Sequence, residues 1–233
     1  SLAGFKIRGF LIKRLFFVFL ISNRYFWWLG KKLNFVFSEK DTEHNKEVDK
    51  TNLTFFEGYW QTYLYFDEYK TDIKESLQIE KENLFKIFDT KEKISNSKNS
   101  VAVCMRFYDA FKEDEKVYGV CSKEFYENAM SYLESFEGGQ TYYVFSSNIE
   151  KSKKFLALNK KRKIVFVEPQ VANSDAYLDL YLMTMCQNFI ISNSTMYWWA
   201  AYLGEREKST VICPSQGFLF KKTLPTNWIK FDQ

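Results

Sequence analysis

Arg106 closes the hydrophobic run VAVCMRF at 101 to 107, and a guanidinium at the end of such a run is costly to bury without an anionic partner. Its planar fork of donors fits phosphate or carboxylate oxygens. Two partners are open at this point, a diphosphate ligand or the nearby Asp109. Small polar residues follow two further hydrophobic runs: Ser146, Ser147 and Asn148 after TYYVF, and Asn193, Ser194 and Thr195 after NFIIS. Glu168 follows a fourth run. The trio at 193 to 195 opens a helical pattern, where unpaired backbone amides and the positive end of the helix dipole suit a phosphate. A plain N-cap role for Ser194 or Thr195 would need no ligand.

Other chemistries find little support. His44 is the single histidine and lies in the polar run SEKDTEHNKEVDK, so a serine triad, a Cys-His dyad or a histidine metal site would depend on one loop residue. The four cysteines, Cys104, Cys121, Cys186 and Cys213, show no CxxC spacing and read as reduced thiols of a cytoplasmic protein. Gly138-Gly139 precedes a strand rather than a helix, no P-loop is present, and no Asp-x-Asp pair follows a strand, so neither a dinucleotide fingerprint nor a metal motif is expected. The acidic run Glu113, Asp114, Glu115 reads as a solvated loop. With 33 basic and 29 acidic residues and a net charge of +4, the signs are too balanced for a nucleic-acid binder.

The elements that must hold these residues alternate. Short apolar runs at 101–107, 141–147, 163–169, 188–194 and 210–215 read as strands buried on both faces. Phe125, Ala129, Tyr132, Leu133 and Phe136 mark one helix face, and Leu178, Tyr181, Leu182 and Met185 another. This alternation predicts an α/β fold, a Rossmann-like parallel sheet of about five strands covered by helices, with ligands beyond the carboxyl ends of the strands. Tyr197, Trp198 and Trp199 read as core packing of their helix. A helix is expected from Asp67 to Leu77, a loop from Ser38 to Thr51, and a domain boundary in the polar stretch KEKISNSKNS at 91 to 100. The chain opens on Ser1 and reads as shortened at its amino end. Phe5 to Phe37 mixes aromatic and basic residues that suit packed helices or an anionic membrane surface. Its apolar run Leu15 to Ile21 is far shorter than the roughly 20 residues of a membrane span.

The pieces GYWQTYLYF (58–66), VAVCMRFYD (101–109), YYVFSSN (142–148), DLYLMTMCQNFIISNSTMYWWAAYL (179–203) and VICP (211–214) resemble, in this order, the bacterial alpha-1,2-fucosyltransferases of glycosyltransferase family 11. The family's His-x-Arg-Arg-x-Asp corresponds to Cys104–Asp109, keeping Arg106 and Asp109 but placing Cys104 and Phe107 at the histidine and second arginine. Its Phe-Ser-Asp-Asp reads Phe145-Ser146-Ser147-Asn148, so two carboxylates are lost, and its glycine-rich amino-terminal motif is absent.

The resemblance implies a GT-B-like, two-Rossmann-domain enzyme. Residues 1–95 would be the remainder of an acceptor-side domain and 96–233 the domain that holds GDP-fucose. Arg106 would be catalytic, and Arg106, Asp109, Ser146, Asn148, Asn193, Ser194 and Thr195 would contact the donor. It further implies inverting, metal-independent transfer of L-fucose to a galactoside 2-hydroxyl of a glycan acceptor, in surface polysaccharide or lipopolysaccharide synthesis. The expected setting is the cytoplasm, with peripheral contact at the inner face of the membrane and no cofactor beyond the donor substrate. A transferase of another nucleotide sugar and an inactive sugar-nucleotide-binding module remain as alternatives. The residues assign no general base.

Overall fold

The computed structural model describes residues 25, 28–29, 32, 36–38, 55–58, 60, 62–77, 79, 81–108, 119–136, 138–156, 161–168, 176–216 and 224–232. Asp109, His44, the acidic run at 113 to 115, nearly all of the loop from Ser38 to Thr51 and most of the segment from Phe5 to Phe37 lie outside them. The chain forms two compact units, Ser1–Tyr65 and Phe66–Gln233. In the first, β1 (Val36–Ser38) and β2 (Phe55–Glu57) pair in parallel.

The second unit is built on six strands, β3 (Ser100–Met105), β4 (Thr141–Ser146), β5 (Lys163–Phe166), β6 (Asn188–Ile191), β7 (Val211–Pro214) and β8 (Ile229–Phe231). They lie in the order β5-β4-β3-β6-β7-β8, and every pair is parallel. The fold is therefore α/β with a Rossmann-type sheet. From β3 the sheet grows outward to β4 and β5, then returns to β6 on the other side. The order reverses between β3 and β6, and such a switch point leaves a crevice beyond the carboxyl ends of the strands.

The helices are α1 (Lys70–Ser76), α2 (Lys81–Leu84), α3 (Phe88–Ser95), α4 (Lys123–Phe136), α5 (Ile149–Leu156), α6 (Ala176–Met185) and α7 (Thr195–Gly204). Alternation along β3 sends its side chains to two layers. Val101, Val103 and Met105 join Phe125, Ala129, Met130 and Leu133 of α4 in the main core. On the other face, Cys104 Sγ lies 3.4 Å from Met183 Sδ of α6. Covering both faces is what made β3, β4, β6 and β7 continuous apolar runs. All four cysteines are buried and free, and burial pushes their thiols up, Cys121 to about 12.

Three expectations are corrected. The sheet has six strands rather than about five. The extra strand, β8, is only IKF with both ends half-buried and its middle exposed, too short for a period-2 signal. The polar stretch from Lys91 is helical as far as Ser95, because Ile94 of α3 is buried and anchors that turn. Phe136, expected on the buried face of α4, is 72% exposed, as the last residue of the helix it only edges against Tyr132. The contact division falls between Tyr65 and Phe66. The segment after Phe66 packs within the sheet unit: Phe66 stacks on Trp199 at 4.9 Å, Tyr202 Oη donates to Asp67 Oδ1 at 2.6 Å, and Tyr143 Oη donates to the Lys93 carbonyl at 2.7 Å.

Gly204 ends α7 where that helix crosses α6. A Cβ there would sit 2.6 Å from Phe189 Cζ and 2.8 Å from Thr184 Cα, and backbone cannot yield as a flexible side chain does. Gly204→Ala is expected to cost about 1–3 kcal/mol of stability, read as a lowered midpoint in denaturant unfolding.

Candidate functional site

The crevice between β3 and β6 is closed by hydrogen bonds across the switch point. The Ser192 amide donates to the Cys104 carbonyl at 3.1 Å, and the Arg106 amide donates to Ser192 Oγ at 2.9 Å. Tyr108 donates its phenol to the Asn193 carbonyl at 2.5 Å, and Tyr197 of α7 donates to the Met105 carbonyl at 3.3 Å. The loop after β3 and the turn after β6 are thus one braced unit. Arg106 itself is half-buried, with its guanidinium carbon 5.3 Å from the Tyr108 ring centroid, a cation held on an aromatic face.

Asn193 is 2% exposed and donates its amide to the Gln216 carbonyl beyond β7 at 3.1 Å, so it fixes the turn. Ser194 is the N-cap of α7 in an extended conformation, φ −155° and ψ 132°, and its hydroxyl makes no cap hydrogen bond. The capping role that would have accounted for Ser194 without a ligand is absent. Thr195 begins the helix and is exposed. The amino end of α7, with Arg106 beside its turn, therefore presents amides and a positive dipole end to the crevice.

After β4 the polar residues bind mainly one another. Ser146 Oγ accepts from the Asn148 amide at 3.0 Å and from Ser152 Oγ at 2.7 Å, while Asn148 Oδ1 caps α5 through the Lys151 amide at 3.0 Å. Ser147 bridges back to the β3 loop, accepting from the Phe107 amide at 2.9 Å and donating to the Phe107 carbonyl at 3.0 Å. Ser146 and Asn148 are thereby brought to the carboxyl edge as parts of a turn. Glu168 lies exposed after β5, apart from this braced unit.

One residue at this edge was missed. Asp179 sits in the first turn of α6, and α6 descends from the carboxyl end of β5, so this turn is on the crevice side. Its Oδ1 is buried with no hydrogen-bond partner among the described residues, and burial pushes the carboxyl from 3.8 to about 6. The Tyr197 phenol, raised chiefly by burial, also feels Cys104, Arg106 and Asp179, which ties the carboxylate electrostatically to the β3–β6 crevice. The available signal was a lone acid inside LDLYLM; many acids sit in helices, and spacing alone does not separate this one.

The tryptophans serve the core, as their sequence pattern implied. Trp198 stacks on Tyr202 at 4.8 Å and tilts against Trp228 at 5.9 Å. A cavity of about 440 Å³ opens instead at the amino ends of β4 and β5, lined in part by Glu134, Gln140 and Arg162. There Arg162 is tied to Glu127, Glu134 and Ser131, an ion-pair network that accounts for its charge. Among the described residues, no three His, Cys, Asp or Glu side chains converge as metal ligands, and no helix is long and apolar enough to cross a membrane.

A parallel sheet with polar side chains and a helix amino end gathered at its switch point is the architecture of nucleotide-binding α/β proteins. The sequence matches the model of glycosyl transferase family 11 over residues 19–230, and the chain belongs to that family. It is 28% identical over 189 residues to an alpha-1,2-colitosyltransferase of Escherichia coli, covering 76% of this chain and 62% of that protein. It is 35% identical over 106 residues to the O-antigen biosynthesis glycosyltransferase WbnK of Escherichia coli, covering 44% of this chain and 33% of that protein. The chain thus spans less than two thirds of either relative. Among solved structures, it is similar to NodZ alpha-1,6-fucosyltransferase soaked with GDP-fucose (16% identity, TM-score 0.39, 54% of this chain and 43% of that one). It is also similar to POFUT1 in complex with GDP-fucose (15% identity, TM-score 0.39, 54% and 45%).

Proposed function

We propose that the Phe66–Gln233 unit is the donor-binding part of a GT-B-like transferase that moves L-fucose from GDP-fucose to a galactoside 2-hydroxyl of a glycan, with inversion and without a metal. The observation that carries this reading is the placement of Arg106 at the switch point, beside the amino end of α7. A departing diphosphate gains negative charge as the glycosidic bond lengthens. A guanidinium and helix amides fixed where that charge grows lower the barrier without reorganising. Ser194 and Thr195 add hydroxyl donors to the same oxygens. Asp179 supplies what the other end of the nucleotide needs: guanine offers a ring N–H and an exocyclic amine on one edge, and an ionised carboxylate accepts both. Fucosyl transfer then requires a base for the acceptor hydroxyl. The same reading places the protein in the cytoplasm, with the basic and aromatic segment from Phe5 to Phe37 at the inner face of the membrane.

Colitosyl transfer is the second reading, favoured by the identity to a colitosyltransferase. Incubating the full-length protein with GDP-fucose or GDP-colitose and a panel of beta-galactosides, with product detection by mass, decides between the two. Product from neither donor, with GDP still bound, would leave the inactive binding module. Chelator is expected to leave turnover intact. An absolute need for magnesium or manganese would overturn the metal-free mechanism.

A further inference from the structure

The alternation of β3 continues past its last residue. Val101, Val103, Met105 and Phe107 share the main core, so Arg106 and Tyr108 leave the chain on the opposite face. Three hydrogen bonds fix the backbone of this stretch: the Arg106 amide to Ser192 Oγ at 2.9 Å, and the amide and carbonyl of Phe107 to Ser147 Oγ at 2.9 and 3.0 Å. Its flexible part is the long stem of Arg106, whose ordering costs conformational entropy. Tyr108 restrains that stem. Its ring centroid lies 5.3 Å from the guanidinium carbon, the residue is 6% exposed, and its far end is anchored where the phenol donates to the Asn193 carbonyl at 2.5 Å. Asn193 immediately precedes Ser194, the N-cap of α7. One side chain therefore reaches from the guanidinium to the turn that opens α7, and a cation–ring contact strengthens as water is excluded from it.

We propose that Tyr108 is a positioning residue for the transfer reaction: it holds the Arg106 guanidinium at a set distance from the amino end of α7, so that both meet the same diphosphate. The inference rests on the nucleotide-sugar reading given above. Tyr108 acts through Arg106 and needs no contact with the donor. Charge on a departing diphosphate is stabilised best by groups already in place, and a displacement of about 1 Å in such a group can cost on the order of a hundredfold in rate. The hydroxyl fixes the ring, and the ring fixes the guanidinium.

The test is a double-mutant cycle on the full-length protein. Tyr108→Leu, Tyr108→Phe, Arg106→Ala and the two double variants are compared with wild type for kcat, KM, GDP affinity by calorimetry and melting temperature. Tyr108→Leu removes ring and anchor and is expected to lower kcat about tenfold with KM nearly unchanged. Tyr108→Phe keeps the ring and loses the anchor, for an expected loss of about threefold. In the Arg106→Ala background neither substitution is expected to cost more than about twofold further, since no guanidinium is left to place. Equal losses in both backgrounds are the signature of a residue that only packs and would overturn the proposal, as would unchanged kcat in both single variants. If Tyr108→Leu does not fold, Tyr108→Phe decides by the same comparison. If wild type binds GDP and transfers neither fucose nor colitose, the cycle is read in GDP affinity, because free GDP carries the charge that develops on departure. Absence of GDP binding overturns the nucleotide reading and this inference together. GDP binding with additive losses overturns this inference alone.

Discussion

Arg106→Ala is expected to lower turnover by roughly a hundred- to a thousandfold, the 2.7–4 kcal/mol typical of losing one preorganised stabiliser of transition-state charge. Its effect should fall on kcat more than on KM, because the charge it meets is largest when the diphosphate leaves. Arg106→Lys should also be poor, since an ammonium keeps the charge and loses both the bidentate fork and the flat face that lies on Tyr108. A catalytic loss and a folding defect would read differently. The main-chain amide of Arg106, not its side chain, bonds Ser192, and Tyr108 braces the Asn193 turn by itself, so truncating the guanidinium leaves the bracing in place. Turnover and melting temperature measured on one Arg106→Ala preparation check the claim. Near-normal turnover in a folded variant would remove the central residue of the mechanism.

Asp179→Asn is expected to weaken GDP by about 2–3 kcal/mol, roughly thirty- to a hundred-and-fiftyfold, because an amide offers one acceptor where the carboxylate offers two, and its NH₂ opposes a donor. The pH dependence follows from the raised carboxyl. Folded, Asp179 titrates near 6 against 3.8 as its ordinary value, so the fold binds this proton more tightly than the unfolded chain does. Its contribution to stability is greatest below about 4, falls as pH rises toward 6, and above 6 the buried charge is a standing cost. The nucleotide reverses the preference, since only the ionised form accepts two N–H groups. Wild-type affinity for GDP should therefore decline as pH is lowered through about 6. In Asp179→Asn that decline should vanish, and the stability profile between pH 4 and 6 should flatten. If the variant binds GDP as tightly as wild type, Asp179 is a buried charge with no part in recognition.

Both predictions concern the carboxyl edge of one sheet, and the two residues were unequally visible beforehand. Arg106 stood out because β3 is buried on both faces, which makes its sequence an unbroken apolar run and any charge at its end conspicuous. Asn193 and Ser194 stood out for the same reason after β6. Asp179 lies on a helix, where a single acid among leucines is ordinary until the packing shows one of its oxygens buried. Helix α5 was not anticipated, because its eight residues, Ile149–Leu156, bury only three side chains, two of them apolar.

The sequence by itself determined the alternation of strand and helix, the burial of the central strands and the polar residues that end them, since these follow from solvent exclusion acting along a short stretch of chain. Family membership was legible too, in the local motif around Asn193–Trp199. Only the tertiary structure decided which strand ends meet. β3 and β6 are separated by more than 80 residues of chain, yet they lie side by side, and that adjacency puts Arg106 at the turn that opens α7. No local preference encodes it. It arises when the whole sheet closes and the β3–β6 pairing excludes water from both faces, a collective gain that no segment contains alone.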